Sequence, residues 1–291
     1  MFAEFLQYLL AGVTIGATYA LIALGFTIIY NASHVINFAQ GEMLMIGGMA
    51  TVALFATGVP LALAIALAVL LAAILGMLLH RLAIAPARQA DVVTLIIITI
   101  GAAIFLRGVA QIIWGRDYHS LPSFSQPSSI EVFGAVMYSQ SLWVLGVASV
   151  VVALLAVFFM KTAVGRATLA VCMNKQAARL MGVRVEWVLT LAFVLAAALG
   201  AIAGAVATPI TLTSYDIGVM LGLKGFVAAA IGGLGSGVGA IVGGLLLGIS
   251  EAMTAGYLSS DYKDAVAFLL ILVILMFMPR GLLGPREAER V

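Results

Sequence analysis

Charge is what this chain lacks: stretch after stretch of about twenty residues passes with hardly an Asp, Glu, Lys or Arg. A helix crossing a bilayer needs about 20 mostly apolar residues, because every backbone amide and carbonyl must find its partner within the segment. Such stretches lie at roughly 8–30, 37–57, 60–80, 92–113, 142–160, 187–207, 219–233, 238–256 and 264–278. Composition agrees, with 64% of residues hydrophobic and 9% charged, where a soluble domain carries about 45–50% and about 25%. A water-borne body of 291 residues could not cover its surface with so few charges. The sequence therefore predicts an all-α polytopic membrane protein, a single integral-membrane domain over 1–291, with eight or nine transmembrane spans. It also predicts a broken or re-entrant segment at the glycine-rich stretch, with the first two spans as a second place where the count can change.

Several function classes fall away at once. A net charge of +2 offers no electrostatic footprint for nucleic acid. The lone Cys172 excludes an internal disulfide. His34, His80 and His119 are scattered over separate breaks, and no metal-ligand pair stands at helical spacing. Ser236 lacks the glycine two positions earlier that a nucleophile elbow needs, and no partner base is evident. The run at 231–248 has no Gly-Lys-Ser/Thr and is not a phosphate loop. Residues 1–7 carry no Lys or Arg and lead straight into an apolar run, so they read as the start of the first membrane segment and not as a cleaved signal.

Orientation follows from the basic residues. The break at 80–91 has Arg81 and Arg88, the loop 161–186 has Lys161, Arg166, Lys175, Arg179 and Arg184, and the tail has Arg280, Arg286 and Arg290: ten of the fourteen Lys and Arg. The alternate loops hold only Arg116 and Lys263. The ten-residue side, including the C-terminus, is expected to be cytoplasmic. Nine full spans would place the N-terminus outside, and a re-entrant early segment would place it inside. The outer loop 114–140, with Pro122 and Pro127, is either a lid or docking surface or a solvated connector.

Three groups of residues could carry function. Within 166–183, good helix formers place Leu169, Cys172, Met173, Gln176, Leu180 and Val183 on one face and Lys175 and Arg179 on the other, with Gly182 at the end. This reads as one amphipathic helix that either anchors the loop at the interface or docks into a groove of a cytoplasmic partner. Glycines at 235, 239 and 243, and at 244 and 248, have the spacing of closely packed membrane helices, and 232–237 is the expected helix break. Finally, Asn37, Gln40, Glu42 and Lys224 are polar groups inside apolar spans, where such residues usually face a bundle interior or a wet path. Glu42 with Lys224 is the ion pair this logic suggests. Arg107 and Glu251 stand nearer span ends and are expected to snorkel.

Short stretches spread almost end to end resemble the permease subunits of bacterial branched-chain amino acid ABC importers, a family that includes related urea and amide permeases. They are 16–25 (GATYALIALG), 37–43 (NFAQGEM) with Gly47, 162–167 (TAVGRA), 177–183 (AARLMGV), Phe193 with 200–204 (GAIAG), 232–236 (GGLGS) with Gly243 and Gly244, and 279–282 (PRGL). The resemblance, which is to the shorter of two permease partners, implies half of a translocation pathway in the bacterial inner membrane. It further implies a second homologous permease, two cytoplasmic ATPase subunits that use the ATP, and a periplasmic solute-binding protein. The chain itself would be neither an enzyme nor a holder of cofactors. Arg166, Asn174, Lys175, Ala177, Ala178, Arg179 and Gly182 would then couple to the ATPase. Asn37, Gln40, Glu42, Lys224, Gly235 and Ser236 would line the pathway. The implied solute is a branched-chain or other hydrophobic amino acid; urea, amides or aromatic acids are the alternative, and an ion-coupled secondary transporter is the rival class.

Overall fold

The computed structural model describes residues 2–87, 89–126 and 128–284. Arg88 and Pro127, and Arg286 and Arg290 of the tail, lie outside them. The elements in order are α1 (Phe2–Ser33), α2 (Gln40–Ala56), α3 (Leu61–Leu78) with a π-helical continuation (Leu79–Ile84), α4 (Val92–Trp114), β1 (Ser129–Val132) and β2 (Ala135–Tyr138). There follow α5 (Ser139–Lys161), α6 (Ala163–Met173), α7 (Lys175–Leu180), α8 (Val185–Thr211), α9 (Ile217–Gly232), α10 (Gly237–Tyr257), a short turn (Ser260–Tyr262) and α11 (Lys263–Phe277). Six helices among the described residues are long and apolar enough to cross a membrane: α1, α3 with its continuation, α4, α5, α8 and α10. Among the described residues α2 and α9 are apolar but shorter.

Small residues decide which helices sit inside. The α1–α10 contact is backbone on backbone: a Cβ on Gly16 would lie 2.8 Å from Leu245 Cα, and one on Gly248 2.4 Å from Gly16 Cα. Helices without a hydrophobic drive between them associate through such close approach. Likewise α2 lies on α8, where a Cβ on Gly47 would be 2.3 Å from Ala201 Cα. α1 and α8 thus form the centre, while α3, α4, α5 and α11 present large apolar side chains such as Leu70, Ile112, Leu154 and Leu272 outward.

The bundle has two distinct ends. At one, the Gln7 amide brackets Val136, donating to its carbonyl (2.7 Å) and accepting from its amide (2.6 Å). There Tyr8 meets Tyr257 edge to face, and His119 pairs with Thr213 through the backbone. The 114–140 loop is therefore a folded cap around an antiparallel hairpin, Ser129 opposite Tyr138 and Val132 opposite Ala135, and not a loose connector. At the other end, Lys175 Nζ reaches Ser33 O (3.3 Å), Asn31 Nδ2 donates to Gly235 O (2.9 Å), and the amides of Leu282 and Leu283 donate to Ile231 O and Gly232 O. α1 runs from the first end to the second.

Two expectations need correction. The glycine stretch 232–237 is not a break within the bundle; it is the turn joining antiparallel α9 and α10 at the second end. Gly233 and Gly235 supply positive φ (100° and 104°), and Gly232 and Gly239 touch backbone to backbone. The interruptions lie elsewhere. After His34 (φ 62°) the chain runs without helix through 35–39, with Phe38 N donating to Thr99 Oγ1 (3.2 Å), before α2 begins level with Ala196 in the middle of α8. Before α9, Leu212 (φ 61°) turns the chain, and α9 starts inside the bundle with Gly218 against Gly41. Residues 35–39 are buried or half-buried, which is where such backbone is tolerated at membrane depth, whereas in 212–216 Thr213 and Ser214 are buried and Leu212 and Asp216 are exposed. Secondly, the amphipathic helix at 166–183 is two helices. Asn174 breaks it, with its side chain capping α7 by accepting from the amides of Gln176 and Ala177.

Candidate functional site

Asn37, Gln40 and Glu42 are brought together, but as parts of the α1–α2–α8 crossing. Asn37 Oδ1 accepts from Ala39 N (3.1 Å) and shapes the turn into α2. The Gln40 amide fits between Gly25 and Gly200 and donates to Ala196 O (2.7 Å). Glu42 does not pair with Lys224. Its Oε1 accepts from Arg107 Nη2 on α4 at 2.9 Å, so Arg107 turns inward to a buried acid instead of snorkelling. Glu42 and Arg107 border a cavity of about 140 Å³ between α2, α4 and α9.

Lys224 belongs to a second charge cluster on different helices. Its Nζ lies 2.9 Å from Glu251 Oε1 on α10 and 2.6 Å from Asp264 Oδ1 on α11. One ammonium thus serves two carboxylates. Tyr19 on α1 donates to Glu251 Oε2 (2.7 Å), and the ammonium stands 5.8 Å from the centre of its ring. Glu251, expected to snorkel, is buried instead. The cluster forms the wall of a cavity of about 400 Å³ toward the hairpin end, enclosed by α1, α5, α8, α9, α10 and α11. Apart from these charges and Thr14, Thr18 and Thr211, the lining is apolar, with Lys263 also contributing. Asp264 and Tyr19 were missed from sequence because Asp264 borders a polar break and Tyr19 sits in an apolar helix. The only signal was an excess of acid, Glu251 and Asp264, close to the one lysine buried mid-span.

A further cavity of about 430 Å³ lies along the same face of α1 toward the opposite end. Thr27, Asn31, Cys172 and Gly235 are among its lining, and the Thr27 hydroxyl, buried, has no hydrogen-bond partner. Of the pathway residues expected from sequence, Lys224 and Gly235 line these two cavities. Ser236 instead caps α10, its hydroxyl accepting from Gly239 N.

The α6–α7 loop keeps Leu169, Met173, Gln176 and Leu180 of its expected face off the bundle, with Cys172 and Val183 half-buried. Ala178 is buried against Val171, Val185 and Val188, whereas Met173, Leu180 and Met181 are 88%, 90% and 85% exposed. Arg166, Asn174, Ala177, Arg179 and Gly182 are exposed as well, and Gly182 supplies the positive φ (83°) that ends α7. Lys175 is half-buried, and burial pushes its ammonium below the usual lysine range. The result is an exposed apolar knob of Met173, Leu180 and Met181 on a loop that also exposes Arg166 and Arg179.

Long helices with apolar side chains outward, buried charged groups beside a cavity and an exposed apolar knob at one end fit a multi-pass membrane protein of the transport class. The chain belongs to the family described as the branched-chain amino acid transport system permease component, matched over residues 8–275. It is 36% identical over 305 residues to the high-affinity branched-chain amino acid transport system permease protein LivH of Salmonella typhimurium, covering 100% of this chain and 99% of that one. With the corresponding protein BraD of Pseudomonas aeruginosa it shares 33% identity over 302 residues, 99% of this chain and 98% of the other. A solved structure, PsaBC from Streptococcus pneumoniae in complex with Fab, superposes with a TM-score of 0.53 over 96% of this chain and 97% of that one, at 15% identity. That likeness is one of fold.

Proposed function

We propose that this chain is one half of the transmembrane pore of an ATP-driven importer of branched-chain amino acids in the bacterial inner membrane. The observation that carries the reading is the full-length likeness to LivH, which leaves no large part of either chain unmatched. In this reading the chain crosses the membrane nine times, by the six long helices and by the shorter α2, α9 and α11, with α2 and α9 helped by the non-helical stretches before them. The hairpin end faces outside with the N-terminus, and the α6–α7 end and the C-terminus face the cytoplasm, as the basic residues there favour. Met173, Leu180 and Met181 would enter a groove on an ATPase subunit, with Arg166 and Arg179 beside them. The other partners are a second permease, a second ATPase subunit and a solute-binding protein at the hairpin cap. ATP is hydrolysed by the ATPase pair, and this chain responds by moving between outward- and inward-open arrangements.

Reconstitution into proteoliposomes with these partners tests the reading. ATP-dependent uptake of leucine, isoleucine or valine is expected. Uptake driven by an ion gradient without the ATPases would overturn the importer class. Saturable uptake of an amide or aromatic acid with no amino acid would overturn the solute.

A further inference from the structure

Lys224, Glu251 and Asp264 are an unusual group to keep in an apolar bundle. A buried ion pair is weak grounds for stability, since desolvation offsets most of the attraction. Here one ammonium serves two carboxylates. Glu251 is held by Tyr19, but Asp264, 38% exposed at its side chain, meets only Lys224 among the charged groups. With Lys263 at the exposed rim, the cavity wall carries two cations and two carboxylates. A solute of zero net charge leaves that balance intact, whereas a net anion or cation would bring unmatched charge into a site of low dielectric. About 400 Å³ is within the range of small-molecule sites, and the remaining wall offers Ile15, Val144, Ile210 and Leu221 to an aliphatic group.

We infer that this outer cavity is a binding site for a zwitterionic aliphatic amino acid, with Asp264 taking the solute's ammonium, Lys224 and Lys263 its carboxylate, and the apolar wall its side chain. The inference deepens the importer reading and rests on it. Binding exchanges partners: the solute's ammonium replaces Lys224 at Asp264, and the freed Lys224 turns to the solute's carboxylate. Glu251 stays with Lys224 and Tyr19 as the fixed part of the site. No proton or covalent bond changes hands.

The test uses the permease–ATPase complex in proteoliposomes, with Met220→Cys on the cavity wall in a Cys172→Ser background. Met220 lines the cavity and is exposed, so a membrane-impermeant thiosulfonate should label the new thiol from the hairpin side. Leucine at saturating concentration should slow labelling at least fivefold. At the same concentration, 4-methylpentanoate (no ammonium) and 3-methylbutylamine (no carboxylate) should leave the rate nearly unchanged. Adding Asp264→Asn should raise the half-protecting leucine concentration at least tenfold. Equal labelling with and without leucine, equal protection by 4-methylpentanoate, or a thiol that never reacts would each overturn the site. ATP-driven leucine uptake by the parent complex, with its solute-binding protein, is measured in parallel. If that uptake persists while protection fails, the site alone is wrong; if uptake is absent, the importer reading goes with it.

Discussion

Glu42 keeps 2% of its side chain exposed and Arg107 31%, so the two members of this ion pair stand in different surroundings. Glu42→Gln leaves a guanidinium that can turn toward the exposed side, whereas Arg107→Met leaves a carboxylate with nothing to compensate it. Stranding a buried charge costs about 3–5 kcal/mol, so Arg107→Met should lower the melting temperature of the detergent-solubilised complex well below that of Glu42→Gln. The double variant should recover much of the loss. Equal loss in both single variants would show that the pair is solvated. The sequence singled out Glu42 and Lys224 correctly as charges inside the bundle but joined them to each other. Each finds its partner on helices that only the tertiary arrangement brings near: α4 for Glu42, α10 and α11 for Lys224. Charge placed in an apolar run is legible in one dimension; its partner, 232 residues away in the case of Tyr19 and Glu251, is not.

Glycine spacing was more legible than charge, because close helix approach leaves its mark at i and i+4 on one chain. A Cβ on Gly204 would lie 2.0 Å from Leu44 O, and nothing can shift there except α2 itself. Gly204→Ala should therefore cost several degrees of melting temperature, while Gly101→Ala on α4, where a Cβ meets nothing within 4 Å, should cost none. Equal effects would mean that α2 and α8 are not packed as described. For α6 and α7 the expected face is split, with Met173 and Leu180 pointing away from the bundle and Cys172 and Val183 half-buried. Apolar periodicity shows that one side of a helix seeks an apolar neighbour, but not whether that neighbour is its own bundle or another protein. Since Leu180 points outward and Ala178 inward, Leu180→Asp should reduce co-purification of the ATPase at least tenfold at unchanged permease level. Ala178→Glu should instead lower the amount of folded permease, because it buries a charge against Val171 and Val188. Normal ATPase recovery with Leu180→Asp would remove the knob from the interface.

Across the whole molecule, the nine apolar stretches and their breaks were readable from the sequence within a few residues, because bilayer thickness sets helix length and charge marks the ends. Where helices stop short was not readable. Residues 35–39 overlap the break expected between the first two stretches, but hydropathy does not show that the backbone there runs on among the helices. Residues 212–216 are polar enough to mark a break, but not to tell a break at the bilayer surface from one inside the bundle. Only the packing of Phe38 on Thr99 and of Thr213 on His119 places these two stretches. The geometry links the two ends of α1 to opposite ends of the bundle, so the proposed arrangement puts the N-terminus and the α6–α7 loop on opposite sides of the membrane. Cys172, the sole cysteine, tests this. It is half-buried on α6, and burial raises its thiol pKa against the opposing pull of Lys175. A raised pKa means less thiolate at neutral pH, so labelling should be slow at pH 7 and accelerate as pH climbs through the usual thiol range and beyond it. An impermeant thiol reagent should reach Cys172 in inverted vesicles and not in intact cells. In the Cys172→Ser background, Ser125→Cys in the hairpin cap should show the opposite sidedness. Labelling of both positions from the same side would undo the nine-crossing arrangement, and a labelling rate at Cys172 already maximal at pH 7 would show that its thiol is not packed on α6 as described.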